Sequence, residues 1–366
     1  AQVPGSAEQS RVQGPRTPQG PQGTPELKGK VTSQTPAVNA PAGSENVKFK
    51  LVDLKIEGTT IYDDVSLRSV YGDMIGETVS LADIYGLAQR LTVKYRNEGY
   101  ILTQVVVPPQ TITDGRVKLR VVEGFVDKVS VEGAVGRNTA FLQGFAQKIA
   151  NSKPLDSKAL ERYILLINDL PGLNARAVLS PSPTVVGASD LTIIVERKPY
   201  DLFAQIDNRG SRYLGPLQLN MGTRLNNALG FYEGLSFQVV TAPDGTPDRE
   251  LDYVSAAWAQ PLNHEGTKLT IGGSVTSTDP GHTLSPFEVE GVARSANVEL
   301  LHPFIRSRQQ NLYAALRFNY LDTERNDNFG LGKTEDRLRV LRLSGTYQFT
   351  DGLLGMKTFS SQNKKG

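Results

Sequence analysis

The sequence predicts two α+β repeats, each ordered β-α-α-β-β, followed by an antiparallel transmembrane β-barrel of which only about the first eight strands can be read. Three observations predict it. A block between residues 47 and 198 repeats itself. Helical periodicity inside that block gives way to period-two alternation after residue 200. No stretch approaches the roughly 20 apolar residues of a spanning helix, so a membrane crossing has to be made by strands.

The repeat can be followed residue by residue. Val52-Asp53-Leu54-Lys55-Ile56-Glu57-Gly58 returns as Val126-Asp127-Lys128-Val129-Ser130-Val131-Glu132-Gly133, with one residue inserted. Ser80-Leu81 and the helical pattern after it return as Pro154-Leu155 and another such pattern. Arg116 to Glu123 returns as Asp190 to Glu196. The offset stays between 73 residues (Glu123 to Glu196) and 75 residues (Glu57 to Glu132), which marks a duplicated domain. In the first copy Phe49, Leu51, Leu54 and Ile56 read as one strand, and Thr60 to Tyr71 is less regular. Ser80 caps a helix whose apolar residues Leu81, Ile84, Leu87, Ala88, Leu91 and Tyr95 fall on one face, and Gly99 stops it. Tyr100 to Val107 reads as a β-branched strand closed by Pro108-Pro109, Asp114-Gly115 as a hairpin turn, and Val117, Leu119 and Val121 as the returning strand. The second copy's helix carries Leu160, Tyr163, Ile164 and Ile167, and Asp169-Leu170-Pro171-Gly172 ends it. A three-stranded sheet covered on one face by two helices is the compact solution for each copy.

After residue 200 the period changes. Leu312, Ala314, Leu316, Phe318 and Tyr320 alternate with Tyr313, Ala315, Arg317 and Asn319, and similar runs lie near 201–208, 217–225, 232–241, 251–260, 267–277, 291–301 and 337–349. Segments of about ten residues with one apolar face are the signature of barrel strands. Short links (226–230, 263–266) alternate with longer polar ones (242–250, 279–291, 322–337), as short turns at one membrane face and long loops at the other require. Residues 1–46, rich in Pro, Gly and Gln, read as a disordered leader, and 351–366 as a tail that loses alternation. The start at Ala1-Gln2-Val3 reads as a mature terminus left by signal cleavage.

Composition narrows the chemistry. Across 366 residues 40 basic side chains face 38 acidic ones, so no net field points to nucleic acid, and cysteine is absent, which excludes a disulfide scaffold and a thiolate nucleophile. His264, His282 and His302 lie apart with no ligand spacing, and Gly72-Asp73-Met74-Ile75-Gly76 lacks the Lys-Ser/Thr of a phosphate loop. Asp63-Asp64 and 322–327 read as solvated acidic loops. Trp258, Tyr313, Tyr320 and Tyr347, near strand ends, fit either aromatics at a membrane interface or core packing. No cofactor and no metal is expected, and no nucleophile–base arrangement suggests an enzyme.

The run Glu98 to Gln110, with Asp114-Gly115 and Val121-Val122-Glu123-Gly124, resembles the first POTRA domain of two-partner secretion transporters, the haemolysin secretion/activation family. Glu161-Arg162 through Gly172 resembles that family's second POTRA domain, and Asp207 to Gly215 the opening of its barrel. The resemblance implies a leader (1–46), a first POTRA domain (47–124), a second (125–198) and the N-terminal half of an outer-membrane barrel (199–350). The strand count falls short of the family's full barrel, which reads as C-terminal truncation. The implied function is type V export: POTRA domains in the periplasm capture an unfolded secreted exoprotein of haemolysin or adhesin type, and a barrel in the cell outer membrane passes it to the surface. Outer-membrane lipid and the barrel-assembly machinery are the other implied partners. In POTRA domains the second strand lies at a sheet edge, which an extended client can extend by one strand. That places a client-binding surface at Ile101, Thr103, Gln104, Val105 and Val107, with Leu173 to Leu179 as its counterpart. A barrel-assembly factor of the same superfamily and a periplasmic POTRA scaffold without a pore are the alternatives.

Overall fold

The local signals of capping and alternation build four sheets in the computed structural model, which describes residues 40–242, 250–328, 332–350 and 359–360. The predicted leader, save its last residues, and nearly all of the predicted tail lie outside the described residues.

The first module is built on β2 (Asp53–Glu57), α1 (Asp64–Tyr71), α2 (Leu81–Asn97), β4 (Gln104–Val106) and β5 (Arg116–Val122). Its sheet runs β2-β5-β4, with β5 parallel to β2 and antiparallel to β4. Ser80 and Asp83 form a reciprocal capping box at the start of α2, as the sequence predicts. Asp114 and Gly115 both take positive φ (53° and 69°), the backbone that a two-residue hairpin turn needs. Leu54, Ile56, Val117, Leu119 and Val121 alternate into a core shared with Ile84, Leu87, Leu91 and Tyr95 of α2.

Four local expectations are corrected. The apolar run from Phe49 is two strands: β1 (Lys48–Lys50) leaves the main sheet to pair with β3 (Thr78–Ser80), and only β2 joins the module sheet. The irregular stretch before Tyr71 contains α1, because Asp63 is its N-cap and accepts from the Ser66 N–H at 2.9 Å; this acidic pair is therefore structural. The run Tyr100–Val107 yields a strand of three residues, since the Tyr100 and Thr103 N–H groups bond back to the Tyr95 and Tyr100 carbonyls. The polar stretch 322–337 is mostly strand, described below.

The second module repeats the plan with β6 (Phe125–Gly133), α3 (Thr139–Ala150), α4 (Ser157–Asn168), β7 (Leu173–Pro181) and β8 (Ala188–Arg197) in the order β6-β8-β7. The two modules meet where the Ser157 N–H donates to the Gly99 carbonyl and that of Leu155 to the Gly124 carbonyl. Gly124 has to be glycine, because a Cβ there would lie 2.4 Å from the Leu102 side chain.

From residue 200 the chain is a single antiparallel meander: β9 (Tyr200–Asp207), β10 (Gln218–Asn226), β11 (Gly234–Ala242), β12 (Leu251–Pro261), β13 (Lys268–Thr278), β14 (Glu290–Arg306), β15 (Gln310–Asp327) and β16 (Gly332–Phe349). A two-residue strand, β17 (Phe359–Ser360), pairs with the end of β16. Each predicted run falls on one of these strands. The last three are much longer than the 9–11 residues needed to cross a bilayer, so the β15–β16 hairpin projects beyond it, and its polar upper half pairs as strand where a loop was expected.

The register separates the two faces of this sheet. Reading across paired residues, Val239, Val254 and Val275 share one row and face with Arg294, Asp322 and Arg337. The apolar stretch thus reaches that row on β11 but starts four residues later on β16, at Leu341. This diagonal offset is the stagger of strands tilted to a barrel axis. The opposite face carries Gln205, Asn220, Gln238, Ser255, Ser274, Asn297 and Asn319, and Arg317 pairs there with Glu299 (Nε–Oε2 2.7 Å). One face is suited to hydrocarbon and the other to water.

Candidate functional site

Each module sheet has an edge strand next to a helix end, β4 in the first and β7 in the second, and α2 and α4 each aim one polar side chain at that edge. Thr92 Oγ1 accepts from the Val105 N–H at 2.9 Å. Asn168 engages both backbone groups of Ala175: its Oδ1 accepts from the Ala175 N–H (2.5 Å) and its Nδ2 donates to the Ala175 carbonyl (3.1 Å). Thr92 and Asn168 are repeat equivalents, each twelve residues past its helix N-cap (Ser80 to Thr92, Asp156 to Asn168). Because outward and inward backbone groups alternate along a strand, the residues that face the open side share parity with Val105 and Ala175. In the first module β4 is so short that Val105 alone qualifies, and its donor is taken. In the second, Ala177 and Leu179 also face outward, and no strand lies beyond β7 among the described residues.

The five residues expected to form the client-binding surface therefore separate. Gln104 and Val105 lie in β4, whereas Ile101, Thr103 and Val107 flank it. Thr103 and Val105 are buried, Val105 within the first core, and Val107 packs against that core. Ile101 packs against the second module's core instead, at the joint between the modules. What β4 offers a ligand is backbone rather than these side chains.

The motif Asp169-Leu170-Pro171-Gly172 closes α4 and docks the second module onto the short-turn end of the sheet. Leu170 is buried in the module core. Asp169 receives a two-pronged hydrogen bond from Arg306 at the end of β14, Nε to Oδ2 at 2.7 Å and Nη2 to Oδ1 at 2.8 Å. Pro171 lies against Gly234 at the start of β11. Gly172 takes φ +68°, and its carbonyl accepts from the Lys198 N–H; a Cβ there would strike the Lys198 carbonyl and the Asn226 side chain.

Three turns complete the joint. The β10–β11 turn folds on Asn227 and Glu233, whose carboxylate accepts from the Leu229 and Phe231 N–H groups, and it drives Tyr232 into the second core. The Tyr232 hydroxyl donates to the Val135 carbonyl at 2.5 Å and lies 3.0 Å from that of Asn138; burial pushes the phenol up to about 12. The β12–β13 turn lays His264 between Phe141 and Phe145 of α3. Beside it, Glu265 receives Lys148 (2.9 Å), Tyr163 (3.1 Å) and Arg162 (3.4 Å). From the β14–β15 turn the Arg308 N–H donates to Glu161.

Two measurements follow from this joint. Gly144 sits on α3 where a Cβ would lie 2.2 Å from His264 Nε2. Alanine stabilises an exposed helix by about 1 kcal/mol over glycine, but Gly144→Ala is expected to destabilise docking, since overpacking costs about 1–3 kcal/mol. Thermal midpoints should show the loss, and His264→Ala should restore it. Burial raises the Glu265 carboxyl, but Lys148, Tyr163 and Arg162 outweigh burial and hold it below the usual glutamate range. A carboxylate depressed in the folded state contributes stability that is present above its unfolded value and lost as pH falls through the folded one. Docking, followed by protease cleavage near residues 197–199, is expected to loosen as pH falls below the ordinary glutamate value of roughly 4.3, and less steeply in Glu265→Gln.

Sequence reasoning placed the motif on the helix end but missed Thr92, Asn168, Tyr232, Glu265 and Arg306. The histidines stay apart, His264 in the joint and His302 hydrogen-bonded to Thr267, and among the described residues no cluster is placed to hold a metal.

Comparison with known proteins gives the arrangement its context. The family model "POTRA domain, ShlB-type" matches residues 49–124, and "Haemolysin secretion/activation protein ShlB/FhaC/HecB" matches residues 187–333. The heme/hemopexin transporter protein HuxB of Haemophilus influenzae is 26% identical over 280 residues, which is 75% of this chain and 49% of HuxB. The outer membrane transporter CdiB-2 of Burkholderia pseudomallei is 28% identical over 160 residues, 43% of this chain and 26% of that protein. The chain thus spans about half the length, or less, of the curated relatives it matches. The solved structure of CdiB from Escherichia coli superposes with a TM-score of 0.68 at 17% identity, covering 87% of this chain and 60% of that one. CdiB from Acinetobacter baumannii gives 0.57 at 14% identity, covering 84% and 60%. The two models match in chain order: residues 49–124 match a POTRA domain of ShlB-type, and residues 187–333 match the haemolysin secretion/activation family, whose members are outer-membrane transporters with periplasmic POTRA domains.

Proposed function

We propose that this chain captures an unfolded secreted protein in the periplasm and passes it along the polar inner face of its barrel to the cell surface. In this reading residues 47–124 and 125–198 are the capturing modules and 199–350 the pore wall. The observation that carries it is the position of the two open edges, β4 and β7, on modules bolted to the turn end of a transmembrane sheet. Backbone pairing at an edge is nearly indifferent to sequence, which suits a client that has to move on. The second edge is the main contact, because Ala177 and Leu179 face outward beyond the Asn168 latch. The first edge, at Gln104 and Val105 with Ile101, Thr103 and Val107 beside it, has its one outward donor held by Thr92 and contributes less.

The client is of haemolysin or adhesin type. Among the relatives, HuxB is named a heme/hemopexin transporter and HpmB of Proteus mirabilis a hemolysin transporter. Outer-membrane lipid bathes the apolar outer face, and the barrel-assembly machinery inserts the strands. The absence of cysteine gives a direct test. Single cysteines placed along β7, along β4 and on the outer surface of α3 are cross-linked to a client segment carrying one cysteine. Cross-links concentrated at 174–180 are the expected result; an even distribution over all three surfaces would overturn the reading.

A further inference from the structure

The outward face of the sheet changes chemistry abruptly at the end remote from the modules. On β15 the apolar run ends with Tyr320, which pairs with Ala296 of β14 and Arg339 of β16; the next row outward is Arg294, Asp322 and Arg337. Three arginines therefore face outward in the first two rows at the border of the apolar belt, with one carboxylate among them. The tier above is net negative, two carboxylates against one ammonium: Lys333 pairs with Glu324 (2.8 Å) and Glu335 (2.7 Å). Arg337 in turn reaches both Glu335 (3.3 Å) and Asp322 (3.7 Å). Arg294 and Arg339 are exposed and, among the described residues, have no carboxylate within ion-pair distance.

An arginine facing lipid costs about 2–4 kcal/mol at the bilayer midplane and about 0–1 near the interface, so these two side chains belong at headgroup depth. Tyr320 beside them has the character of an interface aromatic. The modules mark the periplasmic end, so this rim lies at the outer leaflet. We infer that Arg294 and Arg339 form a binding site for the phosphate of an anionic outer-leaflet lipid headgroup, with Arg337 completing it when drawn from Asp322. Guanidinium groups suit this task because their planar donors match two phosphate oxygens at once. The site depends on the membrane placement of the sheet and not on the client.

The test is a binding titration of bis-phosphorylated lipid A into the full chain in phosphatidylcholine mixed micelles. Each basic side chain at an anionic membrane surface contributes about fivefold, so Arg294→Gln with Arg339→Gln is expected to weaken binding about thirtyfold and to flatten its salt dependence. Arg339→Lys, which keeps the charge, retains most of the affinity and guards against loss through misfolding. Arg317→Gln with Arg342→Gln on the inner face leaves binding unchanged. Equal losses from the inner and outer pairs, or equal affinity for dephosphorylated lipid A, would overturn the proposal. So would displacement of the lipid by inorganic phosphate at matched phosphate concentration, which would make this a free-phosphate site.

Discussion

Replacing Tyr232 with alanine is expected to release the second module from the strands beyond residue 200 while leaving both folded. Tyr232 is fully buried, although it sits in a turn of the barrel, and its ring stacks on Phe141 of α3 at 5.5 Å with planes 25° apart. Truncating a buried aromatic costs about 3–5 kcal/mol, and here it also strands the carbonyls of Val135 and Asn138. The backbone adds to the effect. Tyr232 holds φ +59°, a conformation unfavourable for a bulky side chain, which persists only because the turn around it is over-determined by Asn227 and Glu233. Hydrogen exchange along α3 and protease access at residues 197–199 are the measurements. Both should rise sharply in Tyr232→Ala and modestly in Tyr232→Phe, which loses only the hydroxyl, worth about 1 kcal/mol. Unchanged α3 protection in the alanine variant would show that docking does not depend on this contact. Since Arg306 and Glu265 hold the same surface through separate turns, the double variant Tyr232→Ala with Arg306→Met should undock completely.

The ease with which different parts could be read from sequence follows from their physics. The repeat and the barrel strands were legible because burial on one face writes a period into the chain, 3.6 in α2 and α4 and two from β9 to β16. Helix α1 was not, because eight residues give barely two turns of period and its acidic cap resembles a loop. Tyr100 to Thr103 has strand composition, but the backbone returns to the end of α2, a preference that tertiary contacts override. The upper β15–β16 hairpin is polar on both faces, so pairing there leaves no alternation to read. The joint was hardest. Tyr232, Glu265 and Arg306 lie in turns or at a strand end, where no period exists, and each gains meaning only from a partner far along the chain, as Arg306 does from Asp169. The edge residues were half legible: topology at β4 was as expected, but nothing in the sequence tells that Thr92 already holds the Val105 donor.

That occupied donor decides where a proline should act. At Gln104 or Thr103 proline is a poor probe of client binding, because the Gln104 N–H faces β5 and the Thr103 N–H bonds the Tyr100 carbonyl; either change damages the module itself. Ala177 is the informative position. Its N–H faces away from β8, so proline there removes one outward donor without breaking the sheet, the one setting in which strands accept proline. Ala177→Pro is expected to weaken client binding at least about tenfold, through one lost backbone bond and the ring's obstruction of its neighbours, with module stability nearly unchanged. The complementary variant is Thr92→Val, which frees the Val105 donor while preserving shape. If strand addition is the mode of capture, that variant should strengthen binding at the first edge even as it costs the module about 1 kcal/mol. Tighter binding from a destabilised module is hard to obtain by any other route. An Ala177→Pro chain that binds its client normally, together with a Thr92→Val chain that binds no better, would move the capture site off both edges and onto the helical faces.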